Sequence, residues 1–306
     1  MNAGFAPVDR CWVCDGGALA RAFDARYELS AFAGQDPPLA AYSGEPIEIR
    51  RCAACGFAQP GALPALDRYF DRIYDQQWAP HWVEAEHAAT YKDDIFADVL
   101  RALDARLPAR PRRLLDVGAH AGRLMSLAQR AGWDVEGLEL NPRTAAQAAA
   151  ATGAPVHHGN IFTVTPRPPF DAVTLIDVLE HIPDPRRALG RAAGWIRPGG
   201  AIAVKVPNGG AQRLKESVRG IVRPGYRPTL ADNLVHVNHF TPASLRLALE
   251  RCGFTAVTVA AAAPEMPEGH RIDRLVRRAV FAAARHVPGG LHTPLALNLF
   301  AIARRS

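Results

Sequence analysis

Three features of the 306-residue chain predict an α/β fold with a doubly wound, mostly parallel sheet and a small metal-binding module in front of it. From Arg113 onward, strand-length apolar runs alternate with helical patterns, which is the signature of βαβ units. The first of these runs ends in a glycine loop, Asp116-Val117-Gly118-Ala119-His120-Ala121-Gly122, that opens a helix. Two CxxC pairs, Cys11/Cys14 and Cys52/Cys55, stand near the N-terminus.

Taken in order, residues 1–65 are rich in Pro, Gly and Ala, carry four of the five cysteines and show no long helical periodicity. They read as the metal-binding module. Residues 66–110 bring Tyr69, Phe70, Tyr74, Trp78 and Trp82 and then an amphipathic helix over 93–107, a stretch that reads as linker and lid. The α/β domain is expected over 111–306. Its strands are predicted at 113–117, 134–138, 156–158, 171–176 and 201–206, with helices at 123–131, 142–151 and 185–195. Gly132 stops the first of these helices, and Arg197-Pro198-Gly199-Gly200 is a turn. A helix over 244–252 stops at Gly253. Two late strands, 255–262 and 295–303, enclose a basic amphipathic helix at 272–286.

Composition narrows the function classes. No run of about 18 apolar residues exists, so no membrane span is expected. No basic stretch followed by an apolar core opens the chain, so a cytoplasmic location is the expectation. The net charge of +6 comes almost wholly from arginine in an alanine-rich chain. It reads as the bias of a GC-rich genome as readily as the mark of an acidic partner. Residues 1–65 balance their charges closely and carry no RNA-binding signature, which disfavours nucleic acid.

The glycine loop carries the most chemistry. Glycine permits a sharp backbone turn and close approach to a ligand, and in a parallel sheet this loop lies at the carboxyl end of the strands, where ligands bind. Its glycines are four apart, unlike the Gly-x-Gly-x-x-Gly spacing that cradles a dinucleotide pyrophosphate. Glu139 ends the second strand, about 20 residues further on, where an acid typically accepts from ribose hydroxyls.

These motifs resemble the class I S-adenosylmethionine (SAM)-dependent methyltransferase superfamily over about residues 88–306. The resemblance rests on Asp116 to Gly122, Glu139, Gly159-Asn160-Ile161, Phe170-Asp171-Ala172-Val173, the run from Asp177 through Glu180-His181 to Pro185, and Arg197 to Gly200. It implies a Rossmann-like seven-stranded sheet whose last two strands form an antiparallel hairpin. It also implies SAM as cofactor, held by Asp116, Gly118, His120, Gly122, Glu139, Leu140, Asn160, Ile161, Asp177 and Val178. Asp116 and the loop amides suit the ammonium and carboxylate of the methionine end. Asn160 departs from the family's usual Asp, which accepts from the adenine amino group. Its amide oxygen still accepts and its nitrogen can donate to a ring nitrogen. The Ile161 amide and the Leu140 and Ile161 side chains complete an apolar adenine slot.

Four thiolates in two CxxC pairs, 37 residues apart, suit tetrahedral Zn²⁺. Gly16 and Gly56 are expected where each knuckle turns back. Two disulfides are the alternative, disfavoured in a cytoplasmic chain. Cys252 reads as a core thiol. The module resembles that of a subset of the same superfamily, where the second pair runs into a Gly–apolar–apolar–polar–Pro stretch, here Gly56-Phe57-Ala58-Gln59-Pro60. Members of that subset act on small molecules and sugars. A closed set of four thiolates implies a structural metal.

On the acceptor side, His181 follows the fourth strand and is the candidate general base, against the reading that Glu180-His181 only shapes the loop. His236 matches the histidine of a His-x-x-x-Phe-Thr element in the resembled group and is the second catalytic candidate. His239 lies beside it, Thr241 reads as a helix N-cap and Pro242 as the first helical residue. Arg213, Lys215, Arg219, Arg223 and Arg227 concentrate before that helix. They read equally as a solvated loop or as a surface for an anionic acceptor, such as a phosphate- or diphosphate-linked sugar. The resemblance therefore implies methyl transfer to a small-molecule acceptor, a sugar or other hydroxylated natural product. An RNA methyltransferase with a zinc RNA-holding module and a non-catalytic SAM-binding protein are the alternatives.

Overall fold

The computed structural model describes residues 4–74, 85–108, 112–223, 229–230, 236–266, 271–293 and 295–306. Trp78, Trp82 and Arg227 lie outside these residues.

The N-terminal part is a small β structure that hydrophobic periodicity did not announce. Strands β1 (Phe5–Pro7) and β5 (Ala62–Pro64) pair antiparallel, and β2 (Leu19–Tyr27), β3 (Pro46–Cys52) and β4 (Ala58–Pro60) form an antiparallel meander. Helix α1 (Tyr69–Tyr74) follows, and then α2 (Asp93–Asp104), whose Ile95, Phe96, Val99, Leu100 and Leu103 form one buried stripe.

Beyond α2 come β6 (Arg113–Val117), α3 (Arg123–Arg130), β7 (Asp134–Glu139), α4 (Pro142–Thr152), β8 (Val156–His158), β9 (Phe170–Ile176), α5 (Pro185–Trp195) and β10 (Ile196–Pro207). Helix α6 (Gly209–Val222), β11 (Thr229–Leu230), α7 (Pro242–Arg251), β12 (Phe254–Ala261), α8 (Arg271–His286) and β13 (Asn298–Arg305) complete the order. Strand β11 joins the N-terminal sheet, parallel to β2. Thr241 caps α7 through a capping box with Ser244, and Pro242 is its first residue, as the sequence predicted.

The large sheet has seven strands in the order β12-β13-β10-β9-β6-β7-β8. Strand β13 runs antiparallel to both neighbours, with Val204 opposite Ala301 and Val259 opposite Ala301. From β6 the chain winds outward through β7 and β8, then returns to β9 and winds the other way. This reversal opens a crevice at the carboxyl ends of β6 and β9. Alternate residues serve opposite faces. Leu115, Val117, Val173, Leu175, Ile202 and Val204 pack with α5 and α7, whereas Leu114, Ala172, Ala201 and Ala203 pack with α2 and α3.

The cysteine knuckles are continuous with the first of these cores, for Cys11, Val13, Cys52 and Phe57 are buried in it. Strand β4 explains the contact. Ala58 exchanges two backbone hydrogen bonds with His239, of 3.2 and 2.9 Å, and Phe57 packs on Phe240 with ring centroids 4.9 Å apart. The buried Gln59 accepts from the Trp12 amide and donates to the Arg10 carbonyl, each at 2.9 Å, pinning the first knuckle to the second. Gly56 takes the left-handed turn expected of it (φ 74°). At the first knuckle that turn falls on Asp15 (φ 63°), not on Gly16.

Candidate active site

A cavity of about 1030 Å³ lies at the switch point, lined by residues 116–121 of the glycine loop, Leu138, Glu139, Leu140, Asn160, Ile161, Asp177, Val178 and His181, with residues of α1 and Glu86, Ala89, Tyr91 and Lys92 also in its wall; Gly122, expected at the cofactor, does not line it. It sits at the upper end of the roughly 300–1,000 Å³ typical of ligand pockets.

The loop's glycines are required by the protein itself. Gly118 has φ 75°, and a β-carbon there would stand 2.3 Å from Cγ2 of Val178. Gly122 has φ 83°, and its β-carbon would meet Cα of Ala148 on α4 at 2.9 Å. The first glycine thus keeps the loop pressed against the β9 end, and the second lets α3 and α4 close together.

Two buried acids hold the loop. Thr174 donates to Asp116 Oδ1 at 2.7 Å. Burial pushes the Asp116 carboxyl up to about 7, against the pull of that hydrogen bond. Glu139 accepts from the amides of His120 (2.8 Å) and Asn141 (2.9 Å). Burial raises its pKa while those bonds oppose the rise. Glu139 lines the cavity with this carboxylate. Burial lowers His120 to about 4, with help from nearby Lys92.

Asn160 is more committed than its sequence position implied. Its Oδ1 accepts from the Phe162 amide at 2.9 Å, and its Nδ2 donates to Asp71 of α1 at 2.5 Å. The neighbouring Asn141 donates to the Tyr74 carbonyl at 2.7 Å. Two amide side chains therefore tie α1 to the ends of β7 and β8.

Asp177, in a left-handed conformation (φ 57°), is bridged by two lysines. Lys92 reaches its Oδ2 at 2.9 Å and the buried Lys205 reaches its Oδ1. Burial alone would raise Asp177, but the two ammonium groups outweigh it and hold the carboxyl at about 2. The chain has only three lysines, Lys92, Lys205 and Lys215, and two of them meet here. A compact ammonium serves one carboxylate oxygen, where a planar arginine fork would engage both. Lys205 is also the one charge in the apolar strand 201–206. That was a sequence signal of a buried partner, which the sequence reading missed along with Lys92, Asp71 and Thr174.

His181 lines the cavity, with Tyr74 at 5.8 Å and His236 at 4.7 Å between ring centroids. Glu180 Oε1 lies 3.9 Å from His181 Nε2. Burial lifts Glu180 to about 8, with the charge of Asp177 adding to the effect. His236 stands behind His181 and is held by Gln212, whose amide lies 3.3 Å from His236 Nδ1 and 3.1 Å from His239 Nδ1. Burial lowers His236 to about 4 and His239 to about 3, so both rings are neutral near pH 7. Of the basic run, Arg213, Lys215, Arg219 and Arg223 lie on α6 and its C-cap, where Arg219 pairs with Glu216 at 3.1 Å. Arg68, Arg123 and Arg187 are the arginines that line the cavity among the described residues.

The four cysteines converge as predicted. Their sulfurs all lie within 4.8 Å of one another, with Cys11 and Cys55 at 3.6 Å and Cys14 and Cys52 at 3.4 Å. Metal–sulfur bonds of about 2.3 Å give a tetrahedron with edges of about 3.8 Å, so the set fits one tetrahedral thiophilic ion. These separations are well beyond a disulfide bond of about 2.05 Å. The hydrogen bond from Cys55 lowers the Cys11 thiol to about 5 against burial. Among the described residues, no helix is long and apolar enough to cross a membrane.

A family model described as a methyltransferase domain matches residues 84–259. Curated relatives include ubiquinone biosynthesis O-methyltransferases. That of Paracidovorax citrulli is 29% identical over 126 residues, 39% of this chain and 53% of its own. That of Ralstonia nicotianae is 32% identical over 107 residues, 33% of this chain and 45% of its own. The chain thus spans about half the length of these relatives. Among solved structures, a SAM-dependent methyltransferase from Thermotoga maritima matches with TM-score 0.50 at 14% identity, over 78% of this chain and 100% of that one. Human N-acetylserotonin methyltransferase matches with TM-score 0.50 at 17% identity, over 80% of this chain and 60% of that one. These two likenesses show the fold.

Proposed function

The chain belongs to the SAM-dependent methyltransferase-domain family, and on that premise we propose that it methylates a hydroxyl of a small-molecule acceptor, a sugar or other hydroxylated natural product. The observation that carries the reading is one cavity shared by the glycine loop, Glu139 and the His181 imidazole. Bound SAM supplies an activated methyl group on a sulfonium. Asp116 and the loop amides suit the charged methionine end, Glu139 the ribose hydroxyls, and Leu140 and Ile161 the adenine faces. His181 is the group that takes the acceptor's hydroxyl proton. Lys92 places a positive charge at the cavity wall, where an acceptor oxygen gains negative charge. His236, neutral and held by Gln212, fixes the His181 ring by packing against it.

Cys11, Cys14, Cys52 and Cys55 would hold a structural zinc ion. Its part is to fix β4, and through Ala58 the segment that carries His236 and His239. One zinc per chain by elemental analysis is the expected result.

The activity test incubates the protein with SAM and a panel of sugars, nucleotide sugars and other hydroxylated compounds, reading the mass gain of one methyl group. His181→Ala should lower kcat by about 10²–10⁴-fold while leaving the affinity for S-adenosylhomocysteine unchanged. No methylated product from the panel, together with no S-adenosylhomocysteine formed in the presence of cell extract, would sink the enzymatic reading. Equal turnover in the His181 variant would remove it as the base.

A further inference from the structure

We infer that Asp71, from helix α1 outside the α/β domain, is the acceptor for the exocyclic amino group of the adenine ring, with Asn160 as the residue that positions it. The inference rests on the SAM-binding reading above and deepens it.

The argument starts from what Asn160 has left to give. Its oxygen already accepts from the Phe162 amide, and its nitrogen already donates to Asp71. An adenine amino group is a donor and needs an acceptor, and an amide nitrogen cannot be one. Only the second lone pair of Oδ1 remains on Asn160, on an atom turned into its own loop. Asp71 stands at hydrogen-bond distance from Asn160, lines the same cavity as Ile161 and Phe162, and is largely shielded, with 18% of its side chain exposed. Its one described partner besides Asn160 is the exposed Arg68, at 3.3 Å on Oδ2. With about four lone-pair sites on the carboxylate, Asp71 keeps free acceptors on both oxygens. The placement is not accidental drift of a surface helix. Asn160 and Asn141 both anchor α1, and Tyr69 and Ile73 of the same helix are buried in the N-terminal core.

A carboxylate at this position makes a specific demand on the base. It attracts the amino group of adenine and repels the carbonyl of hypoxanthine, so it should select between them. A mere latch between α1 and β8 would weaken both ligands alike when removed.

The test measures binding of S-adenosylhomocysteine and of S-inosylhomocysteine, in which a carbonyl replaces the amino group, by calorimetry on the full chain. Wild type should prefer the adenine ligand by roughly 10–100-fold, the worth of a hydrogen bond to a charged group. Asp71→Asn should lose most of that preference, since its amide can turn a donor to the carbonyl. The double variant Asp71→Asn with Asn160→Asp moves the carboxylate across the contact and should recover part of it. An unchanged preference in Asp71→Asn overturns the inference, and so does a preference that disappears only together with all binding in both variants. Failure of wild type to bind S-adenosylhomocysteine at all would instead bring down the SAM-binding reading on which this one stands.

Discussion

At the scale of single residues, the cavity is governed by carboxyl groups placed where water is scarce. Asp116 shows the consequence. Its ordinary pKa is near 4, and burial lifts it to about 7. Below pH 7 it is therefore mostly protonated, and a cationic ligand group beside it must drive that proton off before a charge pair forms. The sign follows directly. Affinity for S-adenosylhomocysteine should rise with pH up to about 7, by at most about tenfold per unit, and then level off. Thr174 opposes the burial effect and Glu139 adds to it, so the slope belongs to Asp116 only if its neutral isostere removes it. Asp116→Asn should bind roughly 10–100-fold more weakly at pH 8 and show a flat profile between about pH 5.5 and 8. Titration calorimetry across that range decides, and a variant that keeps the wild-type slope would assign the proton elsewhere. The same residue contributes to stability with the opposite sense. Its folded pKa lies above its unfolded one, so its contribution is full below about pH 4 and is lost as pH rises through about 7.

At the scale of elements, the sequence was legible wherever an element carried its own period. Strands β6, β7, β8 and β9 lie within a residue of their predicted bounds because each is an apolar run fenced by turn residues. Helix α7 was legible from its cap. The N-terminal strands were not. Leu19–Tyr27 exposes most of its first half, and Pro46–Cys52 ends in two arginines and a cysteine, so alternation is confined to the short stretches Phe23–Tyr27 and Ile47–Arg50 and does not announce the full strands. Their stability comes from the knuckles at one end and the core beneath. The site divides in the same way. Asp116, Gly118 and Glu139 sit within one βαβ unit and are readable from spacing. Asp71, Lys92 and Lys205 matter only because the fold brings them to Asn160 and Asp177 from distant parts of the chain. Gln59 belongs with this second group, since its motif position is visible but its purpose is not. Truncating it orphans the Trp12 amide and the Arg10 carbonyl, both facing a buried side chain. Gln59→Ala should destabilise the protein by roughly 2–4 kcal/mol, the sum of about 1–3 kcal/mol for each group left unpaired and less any water that reaches them. It should also hasten zinc loss to a chromogenic chelator several-fold. A variant that releases zinc at the wild-type rate would show that the first knuckle stands without the second.

At the scale of the whole molecule, the decisive fact is that the cysteine knuckles share a core with the large sheet. Cys11, Val13, Cys52 and Phe57 pack in the same cluster as Leu189 of α5 and Leu245 of α7. The Ala58–His239 pairing adds backbone hydrogen bonds across the same boundary. Parts joined in this way cannot open independently without exposing apolar surface on both sides, at about 25 cal/mol per Å². Loss of a zinc ion held by the four cysteines would then be felt beyond the N-terminal strands. It would loosen β4, and with it the segment holding His236, which packs against His181. Calorimetric unfolding of the full chain should accordingly show one transition, and a chelator should lower the midpoint of that whole transition. Turnover should fall in parallel with zinc content, while affinity for S-adenosylhomocysteine, which the proposed site draws from the glycine loop and Glu139, should fall less. Two resolved transitions, with only the lower one moved by the chelator, would show instead that the knuckles fold as a separate appendage and that their route to the histidines carries no energy.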